Sequence, residues 1–535
     1  MITRSYSPPV PLIIAGFTAA GLLLRLYQLS RPGYLLGITQ YDDGVLFGNV
    51  VRLVHGVIPY RDFDMVQPPG SMLVMAPVAL LAKVTGTAWG LALARILTAC
   101  ADTACIVLLG LLVRHRGALA TAIACGLYAV YPGALVACGT LLLEPWLNLF
   151  CLAAALLIFD GDRFAAGWRL TCGGFAFGFA VTIKLWAAAP LLVAGLLLAG
   201  KPKRFGLLAA GALAGLAIPT LPFLLLSRGR FFAEVITSQY LRSTLPHPLL
   251  PRLTDMAGLS LLPGLPKAAA VAILLVIAVY LIGGYLLIWI AARQTSVMLE
   301  WYALAGLMAV VVMFLLPAEY YPHYAAFVGP FAALACALPA GPRPEPGTAI
   351  RLAAVPVSGL VVAALIAAAG FRQAADESRL SARQYQVAAV EQLIPAGSCV
   401  VTNDPALTIE ANRFTALRRG CPAVVDTYGT LMVITAGRPQ QAPMRILRTA
   451  ELTWQRWFYQ ANYVWLDKAD HGLPWANSLY NYLAVHFRRV QVPGGAPVTP
   501  GEPPDTRGGL FRRIRLASGD VPPDRLPPGR QPQSR

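Results

Sequence analysis

Long apolar runs broken by short basic turns dominate this chain. A helix needs about 20 apolar residues to cross a bilayer core, and runs near that length recur over the first two thirds. The pattern predicts helices over 9–29, 88–112, 118–136, 145–160, 165–183, 186–200, 205–226, 267–292, 298–317, 322–340 and 350–370, eleven spans in all. The stretch "SMLVMAPVALLAKV" (71–84) is apolar but short and carries Pro77. Some 14 residues rise only about 21 Å, so it reads as an interfacial or re-entrant helix. The first run continues as "LLLRLYQLSRP", without a small-residue cleavage site, and reads as a retained anchor.

The basic turns orient the spans. "RHRG" (114–117), "DGDR" (160–163), "KPKR" (201–204), the Arg293 loop and "GPRPEPG" (341–347) fall on one side, which the positive-inside bias makes cytoplasmic. The N-terminus is then cytoplasmic. Three longer segments face outward: a first outer loop (30–87), a second (227–266) and everything after about 370. The chain divides into a membrane module (1–370), an extracytoplasmic α/β domain (371–492) and a Pro/Gly/Arg-rich tail (493–535) expected to be disordered. Within the domain, "CPAVVDTYG" and "ANYVWLDKA" read as strands.

Composition agrees with a polytopic helical membrane protein in a cell inner membrane. The chain is 57% hydrophobic and 13% charged, about half the charged share of soluble proteins, and its mean hydropathy is +0.59. Its net charge of +17 suits cytoplasmic loops, lipid headgroups or a lipid-phosphate substrate. No basic stripe with interleaved aromatics occurs, which excludes nucleic acid as a partner. Seven of the nine cysteines lie in the apolar first two thirds, and no CxxC occurs. Cys399 and Cys421 share the polar C-terminal third and are expected to form a disulfide outside.

Chemistry concentrates in the first outer loop, "YDDGVLFGNVVRLVHGVIPYRDFDMVQPPGSMLVMAPVALL" (41–81). A short helix is expected after Asp43, its apolar face made by Val45, Phe47, Val50, Val51 and Val54. Asp42 and Asp43 sit at its start, where one acid can cap the positive helix end. Arg61, Asp62 and Asp64 follow, and Pro68-Pro69 open the next apolar segment.

This loop resembles the first extracytoplasmic loop of the GT-C superfamily of integral membrane glycosyltransferases, the protein-mannosyltransferase and aminoarabinose-transferase-like enzymes. The shared features are Asp42-Asp43-Gly44, the "G-x-x-P-Y-x-D" run from Gly56 to Asp62, and Pro68-Pro69. The resemblance extends to Glu144 in "GTLLLEPWLNLF" and to "EYYPHYAAFVGP" (319–330), which holds Tyr320 and His323. It implies a GT-C membrane module with an outer α/β domain. It also implies an inverting transfer of a sugar, arabinose or mannose among the candidates, from a polyprenyl-phosphate donor to an extracytoplasmic glycan, lipid or protein. The catalytic base falls on Asp42, with Asp43 beside it. A phosphate leaving group needs no general acid, but it needs positive partners. Arg61, Lys184, Arg242 and His323 are the outer-side candidates, with Asp62, Asp64, Glu144 and Tyr320 as further substrate contacts. Gln67 stands where relatives often place a basic residue before the double proline. By the same resemblance Asp43 is a neighbour of the base or a metal or acceptor contact; the sequence assigns no metal site and requires no cofactor, although four acids in one loop are compatible with a divalent cation. Trp454, Trp457, Tyr459 and Tyr463 are expected to pack in the outer domain or to stack on sugar. A lipid-linked glycan transporter or a non-catalytic glycan-binding membrane protein would use the same edge residues without a base.

Overall fold

The computed structural model describes residues 9–240, 242, 248–259, 262, 265–291, 297–317, 319–341, 384–467, 471–474, 476–493 and 508–514. The expected span at 350–370 lies outside them, as does most of the tail.

Ten helices open the chain: α1 (Val10–Leu29), α2 (Tyr41–Val54), α3 (Gly70–Thr85), α4 (Thr87–Val113), α5 (Gly117–Ala129), α6 (Pro132–Cys138), α7 (Glu144–Ile158), α8 (Trp168–Ile183), α9 (Ala188–Leu197) and α10 (Pro202–Leu226). Among the described residues, six helical segments are long and apolar enough to cross a membrane: Val10–Leu29, Thr87–Ala129, Pro202–Leu226, Lys267–Leu286, Met298–Leu315 and Pro322–Ala340. Gly70–Thr85, Glu144–Ile158 and Leu185–Leu197 are shorter apolar helices. The protein is a polytopic helical membrane protein. The helix expected over 118–136 is instead divided at Val130 and Tyr131. Pro132 explains the break, because proline disfavours helical backbone in the residue before it.

α4 is the central element and packs on α1, α3, α5 and α7. α8 and α10 meet through glycines at helical spacing. A Cβ on Gly174 or Gly178 would stand 2.1 or 2.0 Å from a carbonyl oxygen of α10, and one on Gly211 or Gly215 would stand 2.0 or 2.1 Å from α8. Small residues let membrane helices approach this closely and pack by van der Waals contact. The one buried cation of α1, Arg25, donates to Asp102 of α4 at 2.8 Å, and Tyr128 donates to the same carboxylate at 2.6 Å. Pairing of this kind is what a charge inside the apolar layer requires.

α2 lies in the segment between α1 and α3. It begins at Tyr41, earlier than expected, and Gln40 rather than either acid holds the cap position. Its apolar residues Val45, Leu46, Phe47, Val50 and Val51 are buried. It packs on α3 and α4 from one side and on the short helix Pro405–Glu410 from the other.

The C-terminal unit (384–514) is built on four strands, β3 (Val400–Thr402), β4 (Tyr463–Leu466), β5 (Phe487–Val490) and β6 (Gly509–Arg513), in the order β3-β4-β6-β5. A hairpin, β1 (Phe159–Asp160) with β2 (Arg163–Phe164), belongs to the membrane module. β3 and β4 run parallel with Val401 opposite Val464, and β6 is antiparallel to both β4 and β5. Two expectations are revised here. β6 falls inside the stretch expected to be disordered, and its Leu510 and Phe511 are buried. Flanking proline and glycine hid a five-residue strand that completes the sheet. "CPAVVDTYG" forms no strand: Arg52 of α2 donates to the carbonyls of Pro422 and Val424 at 3.3 and 3.0 Å, so this backbone is satisfied without a strand partner. A disulfide joins Cys399, beside β3, to Cys421 at the start of that segment. Trp454 and Tyr463 pack in the unit's core, with Trp457 half-buried against it.

Candidate active site

A cavity of about 490 Å³ opens where α2, the membrane helices and the C-terminal unit meet. Asp42, Lys184, Arg242, Tyr321, His323 and Tyr324 line it from the membrane module, and Asp426, Tyr428 and His471 line it from the C-terminal unit.

The two acids of α2 part company because adjacent helical residues point about 100° apart. Asp42 faces the cavity, where Gln40 Nε2 approaches Oδ2 at 3.4 Å. Burial raises its pKa above the ordinary aspartate value. The His323 ring opposes that rise, the Asp426 charge adds to it, Lys184 opposes it and Glu144 adds to it. Asp43 faces away and is fully buried. Its Oδ2 accepts from Thr39 Oγ1 at 2.6 Å and from Arg95 at 3.0 and 2.7 Å, and its Oδ1 accepts from the Leu141 N–H at 2.5 Å. Three donors thus converge on Oδ2 and one on Oδ1, and the Asp43 side chain, unlike that of Asp42, does not line the cavity.

The cations are placed by aromatic faces and acids. Lys184 sits at the break between α8 and the following turn, with its ammonium 2.6 Å from Glu144 Oε1, 3.5 Å from the Trp186 ring centre and 4.8 Å from that of Tyr324. The flanking aromatics hold the ammonium by cation–π attraction. Arg242 pairs with Glu319, donates to Tyr321 Oη at 3.2 Å and lies 5.1 Å from the Tyr428 ring centre. His323 enters the helix Ala325–Ala337 through a proline-opened turn, with Nε2 4.0 Å from Glu144 Oε1. One lysine, one arginine and one histidine thus face Asp42 within a single cavity, a donor set suited to a phosphate group.

Four expected site residues lie elsewhere. Arg61 and Asp62 pair with each other at 2.8 Å near the surface, and Asp62 is held below its ordinary pKa chiefly by that contact. Asp64 pairs with Arg230. Of the four first-loop acids, Asp43, Asp62 and Asp64 are thus each paired with an arginine, and Asp42 alone faces the cavity. Tyr320 is buried against Phe314 and Tyr324, and it is Tyr321 that faces the cavity. Neighbours in extended backbone point to opposite sides. Among the described residues, the ligand atoms of Asp404, Asp467 and His471 converge within 4.8 Å. Asp404 there caps the helix Pro405–Glu410 by accepting from Ala406 N at 3.0 Å, and we assign the group no ion.

Sequence reasoning missed the contribution of the C-terminal unit. Tyr41 donates to Asp426 Oδ1 at 2.9 Å and stacks on His471 with ring centres 4.3 Å apart. Asp426 also caps the helix Thr427–Ile434 by accepting from Gly429 N at 2.7 Å. The "DTYG" run is a helix-start signal, read above as the end of a strand.

Fold and cavity together define the class: a multi-spanning helical membrane protein with an α/β unit closing over an acid-and-cation cavity. Among solved structures, ArnT from Cupriavidus metallidurans bound to undecaprenyl phosphate is similar with a TM-score of 0.56 and 14% identity, over 95% of this chain and 99% of that one. The same protein in its apo state gives a TM-score of 0.54 at 14% identity, over 93% and 97% of the two chains. At these identities the likeness is one of fold. No protein-family model and no curated protein matches the sequence.

Proposed function

We propose that this protein is an inverting glycosyltransferase that moves a pentose or hexose from a polyprenyl-phosphate donor to a hydroxyl of an extracytoplasmic acceptor. The observation that carries the reading is the cavity itself: one lightly bonded carboxylate, Asp42, faces Lys184, Arg242 and His323. A relative of the same fold, ArnT, was solved with undecaprenyl phosphate bound, which supports a lipid-phosphate donor here.

In this mechanism Asp42 accepts the proton of the acceptor hydroxyl as that oxygen attacks the anomeric carbon. The bond from the anomeric carbon to the phosphate oxygen breaks on the opposite face, which inverts the centre. The polyprenyl phosphate leaves as an anion. Lys184 and Arg242 stabilise its growing charge, and His323 donates a hydrogen bond. A base works best with a pKa drawn toward the working pH, and the buried setting of Asp42 moves it that way. The acid limb of the pH profile therefore lies above the ordinary aspartate value. The orientation follows the basic loops, with α2 and the C-terminal unit outside an inner membrane.

The test is turnover of radiolabelled polyprenyl-phosphate sugars by purified protein, with Asp42→Asn as the control. Loss of a general base costs about 10²–10⁴ in rate. Release of sugar to no acceptor by the wild type, or full activity in Asp42→Asn, overturns the proposal.

A further inference from the structure

α2 carries Asp42, and the C-terminal unit grips α2 along its length. Gly44 lies so close to the helix Pro405–Glu410 that a Cβ there would stand 2.0 Å from Ala406 N. One turn on, Gly48 faces Val425 and Phe414. Arg52, in the last turn, donates to the carbonyl of Ala416 at 3.0 Å as well as to Pro422 and Val424. Glu410 reaches Arg95 at 2.8 Å, so the Asp43–Arg95 pair is itself shared with the C-terminal unit.

The first residue of α2 makes the joint nearest the cavity. The Tyr41 hydroxyl donates to Asp426 Oδ1 at 2.9 Å, lies 3.2 Å from Thr427 Oγ1 and accepts from Tyr428 N at 3.1 Å. Its ring is parallel to His471 within 8°. Every one of these partners belongs to the C-terminal unit, and Tyr41 is the immediate neighbour of Asp42.

We infer that Tyr41 and Asp426 form a positioning pair through which the C-terminal unit sets the place of Asp42, so that the active site is assembled from both parts of the chain. This rests on the role proposed for Asp42. Asp426 acts in two ways. It fixes the Tyr41 hydroxyl, and it adds a negative charge to the cavity that Asp42 shares with Lys184 and His323. That added charge favours the protonated form of Asp42.

Two conservative variants separate these effects. Tyr41→Phe keeps the ring on His471 and removes only the hydroxyl. Asp426→Asn keeps an oxygen to accept from Tyr41 and removes the charge. With full-length protein in detergent, Tyr41→Phe should lower kcat about tenfold, about the effect of one positioning hydrogen bond, with the donor KM within about twofold. Asp426→Asn should move the acid limb of kcat/KM to lower pH, because Asp42 then ionises more easily. Hydrogen exchange of peptides covering 38–48 and 426–434 tests the joint without turnover and should quicken in Tyr41→Phe. Unchanged exchange in both peptides overturns the inference. So does wild-type kcat in Tyr41→Phe, or an unmoved acid limb in Asp426→Asn. Asp42→Asn in the same assay tests the base alone. Full activity there defeats the functional reading, while the exchange result still decides the joint.

Discussion

Replacing Asp43 by Asn should damage stability, whereas replacing Asp42 by Asn should damage only turnover. Asp43 is fully buried and takes four donors, two of them from the equally buried Arg95. An asparagine keeps one acceptor oxygen and turns an NH₂ toward either the Leu141 N–H or the arginine, so donor faces donor. Removing one member of a buried ion pair costs about 3–5 kcal/mol. Part is recovered at this site. Burial, opposed by Arg95 and helped by the Asp43 charge, pushes Glu410 up to about 7. Once the Asp43 charge is gone, Glu410 ionises more readily beside Arg95. A net loss of about 3 kcal/mol follows, the lower end of that range. If all 535 residues unfold together, such a loss lowers the midpoint by roughly 3 °C; the fall is larger if only α2 and the C-terminal unit separate. Unfolding of large membrane proteins is a rate process, so midpoints are compared at one heating rate. Fluorescence-detected size exclusion of detergent-solubilised variants after heating measures it. Asp42→Asn should match the wild type in that assay while losing turnover. Equal stability of Asp43→Asn and wild type, with full turnover, would refute the division of labour between the two acids.

Three further outcomes follow from other contacts. Arg242→Ala and Lys184→Ala should each raise the donor KM about tenfold or more, since a charge-assisted contact is worth about 1.5–3 kcal/mol, and Arg242→Lys should not rescue because it loses the planar fork; donor titrations of initial rate decide this. Burial and the neighbouring Asp64 push Glu234 up to about 7, as burial does Glu410, from an ordinary value of 4.5. A folded pKa raised in this way gives stability that is complete below the unfolded value and lost as pH rises through the folded one, so the heating midpoint should fall between about pH 4.5 and pH 7, and Glu234→Gln with Glu410→Gln should flatten that fall. Gly178→Leu places carbon where a Cβ already meets the Ala212 carbonyl at 2.0 Å; it should force α8 and α10 apart and abolish recovery of monodisperse protein, while Gly206→Leu, where nothing lies within 4 Å of the Cβ, should be tolerated.

The parts of this molecule that were legible in the sequence are those set by local pattern. Period and length revealed the membrane helices, because hydrocarbon demands a continuous apolar run whose backbone bonds close within the segment. The acid pair stood out for a related reason: charge is scarce in this chain, and two adjacent carboxylates outside the membrane require an explanation. What the pattern could not reveal is which acid faces which way, because that depends on Arg95, 52 residues away. Nor could it reveal the C-terminal half of the cavity. Asp426 and His471 lie hundreds of residues from Tyr41 and carry no local mark of their partnership; their meeting is a product of tertiary packing. The same holds for "CPAVVDTYG", whose apolar alternation suits a strand but whose carbonyls Arg52 claims. In each case the sequence signal was present, yet a distant side chain decided the outcome. A cavity assembled from such distant partners has a physical consequence. Its geometry depends on the docking of the C-terminal unit against α2, so a change that loosens Gly44 from Ala406 should disable Asp42 without touching it.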